Sequence, residues 1–150
     1  ALGVQFAYPD AQVACVTGEG SIVMCIQELS TAKQYGLPVK VVNLNNGYLG
    51  MVRQWQTLFY AKRYSASHVD QMQVPDFVTL AQAYGCVGMR CDKPADVDST
   101  IEAAMEINDQ PVVVDFRVHQ DAMVWPMVPS GTSNDAIQYA RDLAPNFDDE

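Results

Sequence analysis

The 150-residue length is that of one ordinary domain, and 49% hydrophobic content is enough to build a core. Nine basic against eighteen acidic residues give a net charge of −9 with no basic stripe, which argues against a nucleic-acid partner. No apolar run reaches the ~18 residues that a membrane span needs, and no signal-peptide pattern opens the sequence, so a cytoplasmic location and no membrane contact are expected.

The opening "ALGVQFAYPDAQ" reads as the last turns of a helix and a loop, which leads to the expectation of a piece cut from a longer polypeptide. Residues 13–17, "VACVT", form a short apolar run ending in glycine, the pattern of a buried parallel strand. From 21 to 35 the apolar residues Ile22, Cys25, Ile26, Leu29 and Ala32 recur at helical spacing, and Gly36 follows as a stop. After Pro38, residues 39–44 give a second strand. The stretch 47–74 is long and only partly patterned, which predicts a functional loop with some helix.

Asp76 precedes a helix carrying Phe77, Leu80, Ala81 and Tyr84, and Gly85 ends it. "CVGMRC" is a third strand, 95–108 a further helix with Val97, Ile101 and Ala104 inward, and 111–118 a fourth strand. Strands alternating with helices predict an α/β fold: a doubly wound, mostly parallel sheet with helices on both faces. Residues 1–118 make up that domain, and 119–150 a tail expected to pack near the active site. The final "NFDDE" reads as a solvated end. Cys15, Cys25, Cys86 and Cys91 form no CxxC pair and are read as small hydrophobes in a reducing compartment.

In an open parallel sheet, ligands sit beyond the carboxyl ends of the strands. Glu19 follows the first predicted strand, and Asn45 and Asn46 end the second, so both reach one edge. Gly18 and Gly20 permit a tight turn and a close backbone approach. Ser21 opens the helix, whose free N–H groups favour a phosphate. A carboxylate, a carboxamide oxygen and phosphate oxygens are the hard ligands that Mg²⁺ takes. Either turn alone is ordinary; their joint placement in a strand–turn–helix–strand unit points to a metal-bound diphosphate.

Other residues carry weaker readings. Trp55 is a packed aromatic or a pocket wall, and Arg53 and Arg63 are surface ion-pairing residues before they are carboxylate binders. His68 and His119 stand isolated, and Glu28 lies on the polar side of its helix.

The blocks "GEGS…QEL…LPVKVVNLNN…LGMVRQWQ" resemble the thiamine-diphosphate motif, whose general form is G-D-G, a spacer, then Asn-Asn. With "RQWQTLFYAKRYS", "PDFVTLA", "INDQPVVVDF" and "VWPMV", nearly the whole chain resembles the C-terminal cofactor domain of acetolactate synthase catalytic subunits. The resemblance implies that Glu19 stands where the family places an Asp, and that Glu19, the Asn46 side chain and the Tyr48 carbonyl hold Mg²⁺. Gly18, Gly20 and Ser21 would meet the diphosphate, with Gly50 and Met51 also against the cofactor. Met51, Val52 and Trp55 would line the substrate pocket. Gly47 and Tyr48 sit at positions that look variable in the family, and nothing is drawn from their identities.

The implied reaction decarboxylates pyruvate and joins the two-carbon unit to a second 2-keto acid, in branched-chain amino-acid biosynthesis. The implied complete enzyme is a homodimer or tetramer with FAD bound elsewhere and a possible regulatory small subunit. The family's activating glutamate lies in an N-terminal domain that nothing here matches, so no catalytic residue is assigned and the fragment alone is expected to be inactive. Another thiamine-diphosphate decarboxylase or carboligase, such as a glyoxylate carboligase or pyruvate oxidase, stays open. So does a non-catalytic nucleotide-binding domain of flavodoxin-like type.

Overall fold

In the computed structural model, which describes residues 1–68 and 75–139, the four apolar runs pair into one sheet. The strands are β1 (Ala14–Gly18), β2 (Lys40–Asn45), β3 (Val87–Cys91) and β4 (Val112–Arg117), in spatial order β1-β2-β4-β3. All three pairings are parallel. The helices are α1 (Leu2–Ala7), α2 (Glu19–Val23), α3 (Glu28–Gln34), α4 (Gly50–Phe59), α5 (Phe77–Ala83) and α6 (Val97–Glu106). The doubly wound α/β reading therefore holds. The acidic end of the chain and the last residues of the 47–74 loop lie outside the described residues.

Alternation along the strands divides the core in two. On one face Val113 meets Ile22 and Leu29 from the α2–α3 region and Phe77 and Ala81 from α5, together with Cys86. On the other, Val112, Val114 and Phe116 pack with Cys91 and Ala104 of α6. Lys40 pins α6 to the start of β2: its buried Nζ donates to the Ile107 carbonyl at 2.7 Å and the Pro38 carbonyl at 2.8 Å. Gln5 of α1 donates to the carbonyls of Tyr8, Pro9 and Ala11, fixing the turn into β1.

Helix α6 covers only the β3–β4 side of its face. Val16 of β1 is 68% exposed and Leu44 of β2 is 44% exposed, and the second forms an apolar groove with Val42, Ile101 and Met105. The spacing in 95–108 predicts an inward Ile101; in the structure it borders this groove instead.

The helix expected over 21–35 is interrupted. Between α2 and α3, Met24, Cys25, Glu28, Leu29 and Ser30 each donate to the residue three back. These tighter turns keep Ile22, Ile26 and Leu29 against the sheet and leave Cys25 exposed. The helix from Asp76 is as read: the Asp76 carboxylate accepts from the Thr79 N–H at 2.8 Å, an N-cap.

Candidate cofactor and metal site

Strands β1 and β2 run in register, Thr17 beside Asn43 and Gly18 beside Leu44. Glu19 directly follows β1, and Asn45 is the last residue of β2, still beside Arg117 of β4, so both lie at the carboxyl edge of the sheet. Glu19 is the first residue of α2, capped by Gly18 in extended conformation (φ −110°), so Gly18 needs no glycine-only backbone. The Glu19 side chain is 2% exposed. Burial raises its pKa above the usual carboxylate range, against the opposing pull of backbone N–H groups at Glu19, Tyr48, Asn46 and Gly47. Its Oε1 has no hydrogen-bond partner among the described residues. A buried carboxyl left this way is costly, and a cation beside it offsets the cost.

The loop after β2 curls over that carboxyl through two successive side-chain turns. Asn45 Oδ1 accepts from the Gly47 N–H at 3.2 Å, and Asn46 Oδ1 accepts from the Tyr48 N–H at 3.0 Å. Gly47 has φ +74°, a conformation that strains any residue with a side chain, so its identity matters to this loop. Two further glycines make room. A Cβ on Gly50 would lie 3.1 Å from the Asn46 amide nitrogen, and one on Gly20 would lie 2.7 Å from Leu49 Cδ2. The close neighbour at Gly20 is thus the loop after β2, packed onto α2.

His68, read as isolated, joins this loop. His68 forms a backbone bridge with Tyr48 and its ring lies 4.4 Å from the Tyr48 ring. The Arg53 guanidinium covers the other aromatic partners, 4.7 Å from the Tyr48 centroid and 5.1 Å from that of Tyr64, and pairs with Asp121 as expected of an ion-pairing arginine. Arg63 makes no ion pair among the described residues and lines a cavity instead.

That cavity, about 440 Å³, is bounded by Met51, Val52, Trp55, Gln56, Tyr60 and Arg63. Trp55 packs edge-on to Phe59 at 5.4 Å, so it is both a packed aromatic and a wall. On α4's buried side, Gln54 donates to the Val124 carbonyl and accepts from the Val124 N–H, holding the segment after β4. Ser21 is exposed on the first turn of α2 and borders a separate cavity beneath α1.

One group of residues escaped the sequence reading altogether. Thr17, Asn43, Asp115 and Arg90 form a single row across all four strands. The same-face row below it, Cys15, Val41, Val113 and Gly88, is apolar. Asp115 is 1% exposed, and its Oδ1 accepts from the amides of Asn43 at 2.9 Å and Asn45 at 3.0 Å. Arg90 Nε lies 3.5 Å from Asp115 Oδ2, and Arg90 also ion-pairs with Asp76. The available signal was polar residues two apart in an apolar strand, Asn43 and Asn45, and a lone acid in "VVVDF".

The buried acid and the Asn turn lie at the carboxyl edge of an open parallel sheet, where α/β domains bind their ligands. The family model for the thiamine pyrophosphate enzyme C-terminal TPP binding domain matches residues 1–116, and the chain belongs to this family. That membership sets aside the flavodoxin-like alternative. The chain is 54% identical over 151 residues to an acetolactate synthase of Mycobacterium bovis, with 99% of this chain and 24% of the relative aligned. It is 51% identical over 150 residues to the acetolactate synthase large subunit of Corynebacterium glutamicum, again 99% and 24%. For the isozyme 3 large subunit of Escherichia coli the identity is 51% over 139 residues, 91% and 24%. A solved thiamine diphosphate-dependent 4-hydroxybenzoylformate decarboxylase of Rhodococcus jostii RHA1 superposes with a TM-score of 0.70 at 30% identity, covering 81% of this chain and 23% of that one. The chain thus spans 24% of the length of these synthase relatives. No helix among the described residues is long and apolar enough to cross a membrane.

Proposed function

We propose that these residues form the thiamine-diphosphate and Mg²⁺ site of an acetolactate synthase large subunit, which decarboxylates pyruvate and joins the two-carbon unit to a second 2-keto acid. The observation that supports the metal site best is the buried Glu19 carboxyl, without a hydrogen-bond partner at Oε1 among the described residues and facing the backbone of Asn46, Gly47 and Tyr48. The synthase reading, over other thiamine-diphosphate decarboxylases and carboligases, rests on the 51–54% identity to synthase subunits.

The donor set fits a hard divalent ion: the Glu19 carboxylate, the Asn46 side-chain oxygen and the Tyr48 carbonyl are all oxygen ligands. Relative to the family's aspartate, Glu19 offers the same carboxylate oxygens on a stem one methylene longer. Gly18, Gly20 and Ser21 would lie along the diphosphate, and Gly50 and Met51 against the rest of the cofactor. Bound thiamine diphosphate supplies the electron sink for decarboxylation and carbon–carbon bond formation. Met51, Val52 and Trp55 give the acceptor keto acid an apolar wall, and Arg63 at the same cavity suits its carboxylate. The segment held by Gln54 at Val124 would exclude water from this side. FAD, subunit assembly and a regulatory subunit belong to the complete protein.

The complete polypeptide, supplied with pyruvate, thiamine diphosphate, Mg²⁺ and FAD, is expected to release acetolactate, and the 150-residue chain alone is expected to release none. Acetaldehyde as the sole product of the complete polypeptide would contradict the synthase assignment.

A further inference from the structure

We infer that Asp115 is a positioning residue for the metal loop, acting through Asn45. The inference rests on the reading of Glu19, Asn46 and Tyr48 as the ligands. A carboxylate only accepts hydrogen bonds, whereas a carboxamide has a donating and an accepting end. Asp115 Oδ1 takes the NH₂ of Asn45 at 3.0 Å, which leaves the Asn45 oxygen turned toward the Gly47 N–H at 3.2 Å. Rotated by half a turn, Asn45 would set its oxygen against the Asp115 carboxylate and its NH₂ against the Gly47 donor. Both contacts would be repulsive. The acid in β4 therefore decides which way the first Asn of the pair points, and so the turn that carries Asn46 and the Tyr48 carbonyl.

The lock is built into the sheet. Asp115 is 1% exposed and in register with Asn43 on one side and Arg90 on the other. The Asn43 amide shares Oδ1 at 2.9 Å, and Arg90, held by Asp76 at the start of α5, stands 3.5 Å from Oδ2. The carboxylate is thus oriented from both neighbouring strands before it acts on the loop. Losing a group hydrogen-bonded to a metal ligand typically costs 10–100-fold in metal affinity, and Asp115 acts one contact further out, through Asn45 and the Gly47 N–H.

The test is a calorimetric titration of Mg²⁺ into the complete polypeptide with saturating thiamine diphosphate, comparing wild type, Asp115→Ala, Asp115→Asn, Asn45→Ala and Asn46→Ala, each with a melting curve. Asp115→Ala and Asn45→Ala are expected to weaken Mg²⁺ binding by about tenfold or more. Asp115→Asn, which keeps one acceptor but loses the obligatory orientation, should fall between them and wild type. In hydrogen exchange, the Gly47 amide should exchange faster in Asn45→Ala. A contact that only stabilises the fold would lower the melting temperature and leave Mg²⁺ affinity at the wild-type value, and that result overturns the inference. Should Asp115→Ala fail to fold, Asn45→Ala, which retains the Asp115–Asn43 bond, decides the matter by the same criterion. Wild-type Mg²⁺ affinity in Asn46→Ala would overturn the ligand reading itself. Loss there, with wild-type affinity in Asp115→Ala and Asn45→Ala, would overturn the role of Asp115 alone.

Discussion

Gln54 grips Val124 by both backbone groups: its Nε2 donates to the carbonyl at 3.0 Å and its Oε1 accepts from the N–H at 2.8 Å. A side chain of helix α4 thereby substitutes for a neighbouring strand, and a segment without regular structure is held against the helix that lines the cavity. The Gln54 side chain is buried, so deletion leaves no water-exposed alternative for the bonded groups on its side. Gln54→Ala is expected to cost about 1–3 kcal/mol for two net hydrogen bonds. Limited proteolysis should show faster cutting after β4 in the variant; identical cutting rates would show that other contacts hold the segment.

Asp76 links stability to pH. The Arg90 side chain, with the Thr79 N–H second, pulls its pKa to about 2 from the ordinary 3.8. A carboxyl depressed on folding stabilises above its unfolded pKa, and that contribution is lost as pH falls from about 4 toward about 2. Asp76→Ala should therefore lose about 1 kcal/mol at neutral pH through the missing N-cap. The gap to wild type, read from urea unfolding, should narrow below pH 3. A gap that stays constant down to pH 2 would assign the loss to packing.

Gly47 stands at φ +74° between the two Asn side-chain turns. Gly47→Ala is expected to cost about 1–2 kcal/mol in left-handed strain, or to shift the loop and weaken Mg²⁺ binding. A variant with wild-type melting temperature and wild-type Mg²⁺ affinity would contradict both.

The strands were legible because each is a short apolar run closed by a turn signal, as "VACVTG" and "VKVVNL" show. The placement of Glu19 and Asn46 near the carboxyl edge of the sheet was legible for a related reason: a strand's end fixes that edge, and both residues directly follow a strand end. The break between α2 and α3 was not legible, because Ile22, Ile26 and Leu29 satisfy helical spacing with or without a few tightened turns. Nor was the Asn43–Asp115–Arg90 row. It exists only through strand register, between residues from three strands, and each of them alone passes for a stray polar residue. The importance of Gly47 was hidden because Asn-Asn-Gly is an ordinary turn signal that leaves open the backbone angle this chain adopts.

In the metal-free protein the Glu19 carboxyl links stability to pH. Burial raises its pKa, so above that pKa the ionised carboxyl works against folding, and the cost disappears as pH falls and the group takes its proton. Glu19→Gln should accordingly leave the metal-free protein at least as stable as wild type at neutral pH, while removing the carboxylate that the proposed metal site requires.

The most direct test is Mg²⁺ titration of the Glu19→Gln variant in the presence of thiamine diphosphate, against wild type. If the residue 19 carboxylate grips the ion, affinity should fall by tenfold or more while the metal-free melting temperature holds or rises. Unchanged Mg²⁺ affinity in a folded Glu19→Gln protein would mean that the ion is bound elsewhere, and the proposed site would be wrong.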